Sequence, residues 1–434
     1  MLSIVKKAIK KILPSAVKKR LAPINTSLQL AQQQQKHTSA LNKVREKSIV
    51  KVVFFIIHEP AWKCEGIYKL LKEDKRFEPV VIINPWTVFG QENMIKEMNT
   101  CYNYFKRNEY NVLKTFDEVT GEWLDVKKEI KPDIVFFTNP YQLTKKEYYI
   151  NNFTDTLTCY IPYGYMMENM EQQQFNQDFH NFLWKGFYET SIHKTMAEKY
   201  ARNKGENVEI SGAPFCDIFL EKNYIPKNDW KIKDKKVKRI IWAPHHTINE
   251  NKDILAYSNF LKYHQYIFDL LNLYNGKIQI AFKPHPMLKL NLYKHPDWGK
   301  DKTDTYYNKW QSIENGQLEE SNYEDLFLTS DAMILDSMSF IVEYFFTNKP
   351  SLFTVRDETI QTKFNEFGSM IFKHLYKGYS EVDITNFIDS TVLSEKDLLK
   401  NKRTEFLNTF LIPPNNKTAS NNIFNTLVKE VSNI

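Results

Sequence analysis

Several stretches of this 434-residue chain are continuous apolar runs of strand length: "VKVVFFIIHEP", "EPVVIINP", "PDIVFFTNP", "RIIWAPHH", "IQIAFKPHP" and "DAMILD". A strand with one wet face alternates apolar and polar residues. A run apolar on both faces must be covered on both, which is the condition of strands in a parallel sheet flanked by helices. Stretches with helical periodicity, such as "AWKCEGIYKLLKEDKRF" and "FLKYHQYIFDLLNLY", lie between the runs. Strand–helix–strand alternation therefore predicts an α/β chain built on parallel sheets.

At this length one core is not enough, and two domains are expected. The alternation stops at the Lys-rich "EKNYIPKNDWKIKDKKVK" and then restarts. The expected organisation is a leading segment over 1–48, a first doubly wound, Rossmann-like domain over 49–228 and a second over 229–434. The final stretch "NNIFNTLVKEVSNI" is a helix that belongs equally well to either domain. Open α/β sheets bind ligands beyond the carboxyl ends of their strands, so two such domains facing each other would bound a cleft. The chain holds 12 glycines and neither GxGxxG nor GxxxxGK[ST], which excludes glycine-loop dinucleotide and Walker-type sites.

Charge is unevenly placed. "MLSIVKKAIKKILPSAVKKRLAP" is rich in Lys and Arg and no acid precedes Glu46, while Leu2, Val5, Ile9, Ile12 and Val17 recur at roughly helical spacing. A basic amphipathic helix over residues 1–22 would lie on an anionic membrane surface. A solvated tail, or a helix packed on its own protein, is the plainer alternative, and Pro14 interrupts the pattern. "LQLAQQQQKHTSALNKVREK" is expected to be a polar helical spacer. No basic stretch is interleaved with stacking aromatics, so nucleic acid is not an expected partner. Cys64, Cys101, Cys159 and Cys216 form no CxxC pair, there is no signal-peptide pattern and no run of about 18 apolar residues. A cytoplasmic protein, peripheral on the inner face of the plasma membrane, is the expectation.

The unusual polar residues follow strands of the second half: His245, His246 and Thr247 in "WAPHHTI", Lys283 and His285 in "FKPHPML", and Asp336, Ser337 and Ser339 in "LDSMSF". Such a set suits an anionic ligand. Ser337, Met338 and Ser339 would open a helix with apolar face Phe340, Ile341, Tyr344 and Phe345, and a helix start offers unpaired N–H groups to phosphate. Plain N-capping by Asp and Ser is the bland alternative. His285, held between Pro284 and Pro286, could move a proton, and Lys283 could supply fixed positive charge. If the backbone is extended, His245 and His246 diverge. With no HExxH and no DxD, no metal site and no cofactor is called for.

These stretches, with "ISGAPFCDIFL" before them and "YEDLFLTSDAMILDSMSFIVEYFFTNKPSLF" as the longest, resemble the CDP-glycerol glycerophosphotransferase family of teichoic-acid and capsule synthesis, over roughly residues 155 to 355. The resemblance implies a GT-B fold, two Rossmann-like domains around a cleft. It also implies transfer of glycerol phosphate, or ribitol phosphate in relatives, from a CDP-activated donor to a hydroxyl of a glycan or lipid-linked acceptor, with release of CMP. His285 then matches the histidine of the family's H-P motif, and Asp336 and Ser339 the acid and second serine of D-x-S-S, associated with donor phosphates. Glu343 stands where the family usually has Asp. Met338 replaces one serine, and in "IPYGY" Tyr163 occupies the place of the histidine of W-H-G-T, the family's general base. Tyrosine, with a pKa near 10, is a poor base at neutral pH, which leaves His245 and His246 as candidates. A nucleotide-sugar-dependent GT-B glycosyltransferase and a non-catalytic assembly component that binds nucleotide or polymer are the competing readings.

Overall fold

The apolar runs form parallel strands in two sheets. In the computed structural model, which describes residues 15–248, 256–320, 323–338 and 340–432, with side chains from residue 27 on, the chain divides into two compact units. One holds the residues up to Tyr163, Glu171–Phe215 and the chain from Pro413 on. The other holds Gly164–Met170 and Cys216–Ile412.

The first unit's sheet is built from β1 (Val50–Ile56), β2 (Phe77–Ile83), β3 (Val112–Lys114), β4 (Ile134–Phe137), β5 (Leu157–Tyr160), β6 (Lys185–Tyr188) and β7 (Val208–Ile210), in the order β3-β2-β1-β4-β5-β6-β7. Register follows the apolar runs: Val50 lies opposite Phe77, Ile56 opposite Ile83, and Val52 opposite Ile134. Phe54 and Phe136, on neighbouring strands, stack at 4.8 Å and are fully buried. Each such ring contributes about 1.5–3 kcal/mol by leaving water.

The second unit's sheet holds β8 (Lys238–Ala243), β9 (Ile278–Phe282), β10 (Gly316–Leu318), β11 (Ala332–Leu335), β12 (Ser351–Thr354) and β13 (Tyr376–Gly378), in the order β10-β9-β8-β11-β12-β13. Trp242 of β8 anchors its core, stacked on Phe282 at 5.0 Å and on Phe260 at 5.7 Å. In each sheet the first strand in sequence lies inside, and later strands add first on one side and then on the other. The turnover falls between β1 and β4 and between β8 and β11. Connections leave such a pair in opposite directions, which opens a crevice at the strands' carboxyl ends.

Two features depart from the sequence expectation, and a third settles what the sequence left open. Residues Ser15–Arg45 are one helix, but not a free spacer: Gln33, His37, Ala40 and Val44 recur at helical spacing and are buried. Gln33 Nε2 donates to the carbonyl of Thr154 at 2.9 Å, and Arg45 Nε to that of Glu430 at 2.8 Å. Half of the docking stripe is polar, so periodicity of apolar residues did not reveal it. The division between units falls at Phe215/Cys216, ahead of the Lys-rich break, because the residues between pack on the second unit. There Phe219 stacks on Phe327, and Tyr224 Oη donates to Asp325 at 2.6 Å. The final helix, Ala419–Val431, returns to the first unit, where Phe424 meets Phe77 and Lys185 pairs with Glu430 at 3.0 Å. The basic amphipathic start lies mostly outside the described residues. No helix among the described residues is long and apolar enough to cross a membrane.

Candidate active site

The crevice between β8 and β11 brings together His245, His246, Thr247, His285 and Asp336. Strands β8 and β9 run side by side, with Trp242 opposite Phe282. Their carboxyl-terminal loops therefore emerge together, and His285 N–H donates to the carbonyl of Pro244 at 3.2 Å. This joins "PHH" to "PHP". The His245 and His246 rings lie 4.3 Å apart, His246 and His285 4.3 Å, and His245 and His285 5.2 Å. The expected divergence of His245 and His246 does not occur, because the chain bends at His246 and lays the rings side by side.

Asp336, at the end of β11, is the clamp. Its Oδ1 accepts from the backbone N–H of His245 at 2.5 Å and its Oδ2 from that of Asn259 at 2.6 Å. Burial pushes its carboxyl up to about 7, against the pull of these two N–H donors and of Arg356. Both oxygens are thus spent on the backbone, and Asp336 fixes where the His245 loop stands. Arg356 donates from Nη1 to the carbonyl of Ser258 at 3.2 Å, and Asn259 Nδ2 to that of Thr354 at 2.9 Å, which tie the same loops to β12.

The histidines' protonation follows from their partners. His285 caps the helix Pro286–Tyr293: its Nδ1 accepts from the N–H of Met287 at 3.1 Å. With that lone pair engaged, the neutral ring carries its proton on Nε2. Thr247 Oγ1 accepts from Tyr257 N–H at 3.0 Å and lies 2.8 Å from His245 Nδ1, so the hydroxyl is fully satisfied when it donates to that nitrogen. His245 then also presents an Nε2–H. Asn291 Nδ2 donates to the carbonyl of His246 at 2.9 Å and lies 3.4 Å from its Nδ1. Burial, with the neighbouring imidazoles, pushes His245 down to about 2 and His285 to about 4. Neutral rings that offer N–H groups suit an anion's oxygens. The three side chains each offer an atom within 4.8 Å of the other two, spacing compatible with a cation. Ligation needs a lone pair at the approaching nitrogen, however, and at His285 the one free of hydrogen is already occupied.

The remaining predicted residues are placed as follows. Lys283 is buried at the end of β9, and burial lowers its pKa. Thr247 and Ser337 are buried, and Glu343 is buried on the helix Ile341–Phe345. That helix is five residues long and capped by Phe340, so Ser337 and Met338 precede it and do not open it, a correction to the expected phosphate-binding helix start. All five residues of the helix are buried. Ser339 lies outside the described residues. Tyr163 belongs to the first unit, follows β5 and is 45% exposed. Sequence reasoning missed Asn259, Asn291 and Arg356, which act through backbone carbonyls and carry no motif.

Comparison with known proteins bears on this geometry. The profile of the family described as CDP-Glycerol:Poly(glycerophosphate) glycerophosphotransferase matches residues 161–429. Curated proteins gave no match. Among solved structures, the wall teichoic acid polymerase TagF is 13% identical over 95% of this chain and 98% of its own, with a TM-score of 0.55. A structure of TagF soaked with CDPG gives 12% identity, the same coverage and a TM-score of 0.55. MnaA from S. aureus, in complex with UDP, is 14% identical over 88% of this chain and 96% of its own, with a TM-score of 0.55. The shared fold is the GT-B type, two parallel α/β sheets.

Proposed function

Because the chain belongs to the CDP-glycerol:poly(glycerophosphate) glycerophosphotransferase family, we propose that it moves an alditol phosphate, glycerol phosphate foremost, from a CDP-activated donor to a hydroxyl of a glycan or lipid-linked acceptor and releases CMP. The chain is a transferase. The observation that carries the reading is the pair of imidazoles of His245 and His285, whose Nδ1 atoms meet Thr247 Oγ1 and the Met287 N–H while Asp336 fixes the His245 loop, at the carboxyl ends of β8 and β9.

In this reading the donor's pyrophosphate lies over the histidines. The acceptor oxygen forms a bond to the β-phosphorus as the bridging P–O bond to CMP breaks, and the acceptor's hydroxyl proton is released. Charge grows on the bridging oxygen during the step. Fixed neutral donors stabilise it without prior loss of a proton, and removing one such donor typically costs about 100- to 1,000-fold in rate. His285 serves here as a hydrogen-bond donor rather than a base. Lys283, Ser337 and Glu343 serve the donor in this reading, and Asp336 positions the loop that meets it. The basic segment 1–22 would hold the enzyme at the cytoplasmic face of the membrane, beside lipid-linked acceptors.

The test is nucleotide release. Purified full-length protein, incubated with a glycan acceptor and CDP-glycerol, CDP-ribitol or a panel of UDP-sugars, is expected to release CMP. His285→Ala should lower that release about 100-fold. UDP release alone would identify a glycosyltransferase and reject the reading, and unchanged turnover in His285→Ala would reject the histidine's role.

A further inference from the structure

The turnover point of the first sheet carries a second concave site. A cavity of about 200 Å³ opens at the carboxyl ends of β1 and β4, walled by Phe55 and Phe137 and lined by Asn84, Asn139, Tyr141, Gln142, Thr144 and Asp178. Asn84 and Thr144 are 3% and 9% exposed. Asn84 Oδ1 and Thr144 Oγ1 have no hydrogen-bond partner among the described residues. Buried polar atoms are normally satisfied, and two unsatisfied ones on the wall of one cavity mark where a ligand's hydroxyls would complete them.

Charge narrows the class of ligand. None of the residues lining the cavity is Lys, Arg or His. The lining carboxylate, Asp178, accepts from Arg202 Nη2 at 2.5 Å. A phosphate chain entering here would meet amide, hydroxyl and aromatic groups, and the nearby cation, Arg202, is already paired with the lining acid. Tyr141, 43% exposed at the rim, and Phe179 offer the flat apolar faces on which the C–H side of a sugar ring rests. Amides and hydroxyls, each able to donate and accept, match vicinal hydroxyls.

We propose that this cavity binds an uncharged, hydroxyl-rich part of the acceptor, a sugar or alditol unit that carries no phosphate. That the occupant is an acceptor rests on the transferase reading. That it is an uncharged polyol rests on the cavity alone.

The experiment is saturation-transfer NMR on the full-length protein with lactose as the uncharged probe, glycerol 1-phosphate as the charged one and CDP as a separate arm. Lactose ring protons should show transfer, reduced at least five-fold in Asn84→Leu and Thr144→Val, which keep side-chain shape while removing hydrogen-bonding atoms. Tyr141→Ala, at an exposed position that leaves the core untouched, should reduce it several-fold, so a folding failure in the first two variants would not shelter the proposal. CDP transfer should be equal in all four proteins. Absence of lactose transfer, its persistence unchanged in the three variants, or competition of glycerol 1-phosphate for the same protons would overturn the proposal. If lactose binds as expected and CDP does not bind at all, the cavity assignment is supported and the transferase reading fails.

Discussion

His285 is set by a single backbone N–H. Met287 donates to its Nδ1, and burial, with the neighbouring His246, keeps the imidazole neutral down to about pH 4. The folded pKa lies below that of the unfolded chain. The unfolded state therefore binds the extra proton in the window from about 6.5 to about 4, so His285's contribution to stability is present above that window and is lost as pH falls through it. Long-range proton–nitrogen NMR should accordingly show a neutral ring with its proton on Nε2, unchanged between about pH 7.5 and 5. A ring that titrates near 6.5, or carries its proton on Nδ1, would contradict the assignment. The sequence showed which histidines follow strands. It could not show their protonation, because Met287 and Thr247 act through geometry that residue type does not encode.

At the level of elements, the long apolar strands were legible and several short ones were not. β3, β10 and β13 are three residues each, and β6 (KGFY) contains a lysine and a glycine, so none presents an apolar run. They lie in the sheets because a paired neighbour supplies the ladder. The segment Gly164–Met170 shows the same dependence. It joins the second unit through Asn365, whose Nδ2 donates to the carbonyl of Met166 at 2.8 Å and whose N–H donates to that of Met167 at 2.9 Å. Gly368 lies beneath it, and a Cβ there would collide with the Met167 carbonyl oxygen. Gly368→Ala should therefore destabilise the second unit by about 1–3 kcal/mol, read as a lower urea midpoint at unchanged slope. An unaltered midpoint would mean that the segment yields without cost.

For the whole molecule, charge and connectivity matter more than any single contact. The formal net charge is +7, and the leading segment holds a dense cluster of that positive charge. If this segment provides membrane contact, deleting residues 1–22 should shift the protein from the pellet to the supernatant when it is sedimented with vesicles containing about 30% anionic lipid, at roughly 1 kcal/mol of lost affinity per basic residue at the surface. Equal sedimentation of both forms would remove the membrane assignment. The first unit is assembled from the beginning, the middle and the end of the chain, with Arg45 bonded to the Glu430 carbonyl and Lys185 paired to the Glu430 carboxylate.

The amino-acid sequence by itself determined the class of fold, the location of the candidate site residues at strand ends and the family, since apolar runs covered on both faces have few ways to be buried and the motifs sit at the ends of those runs. The tertiary structure decided which loops Asp336 ties together, which atoms each histidine ring meets and which cavity is lined without Lys, Arg or His. Those properties come from pairs distant along the chain, Asp336 with His245, Asn84 beside Thr144, and a pair has no signature in either member alone.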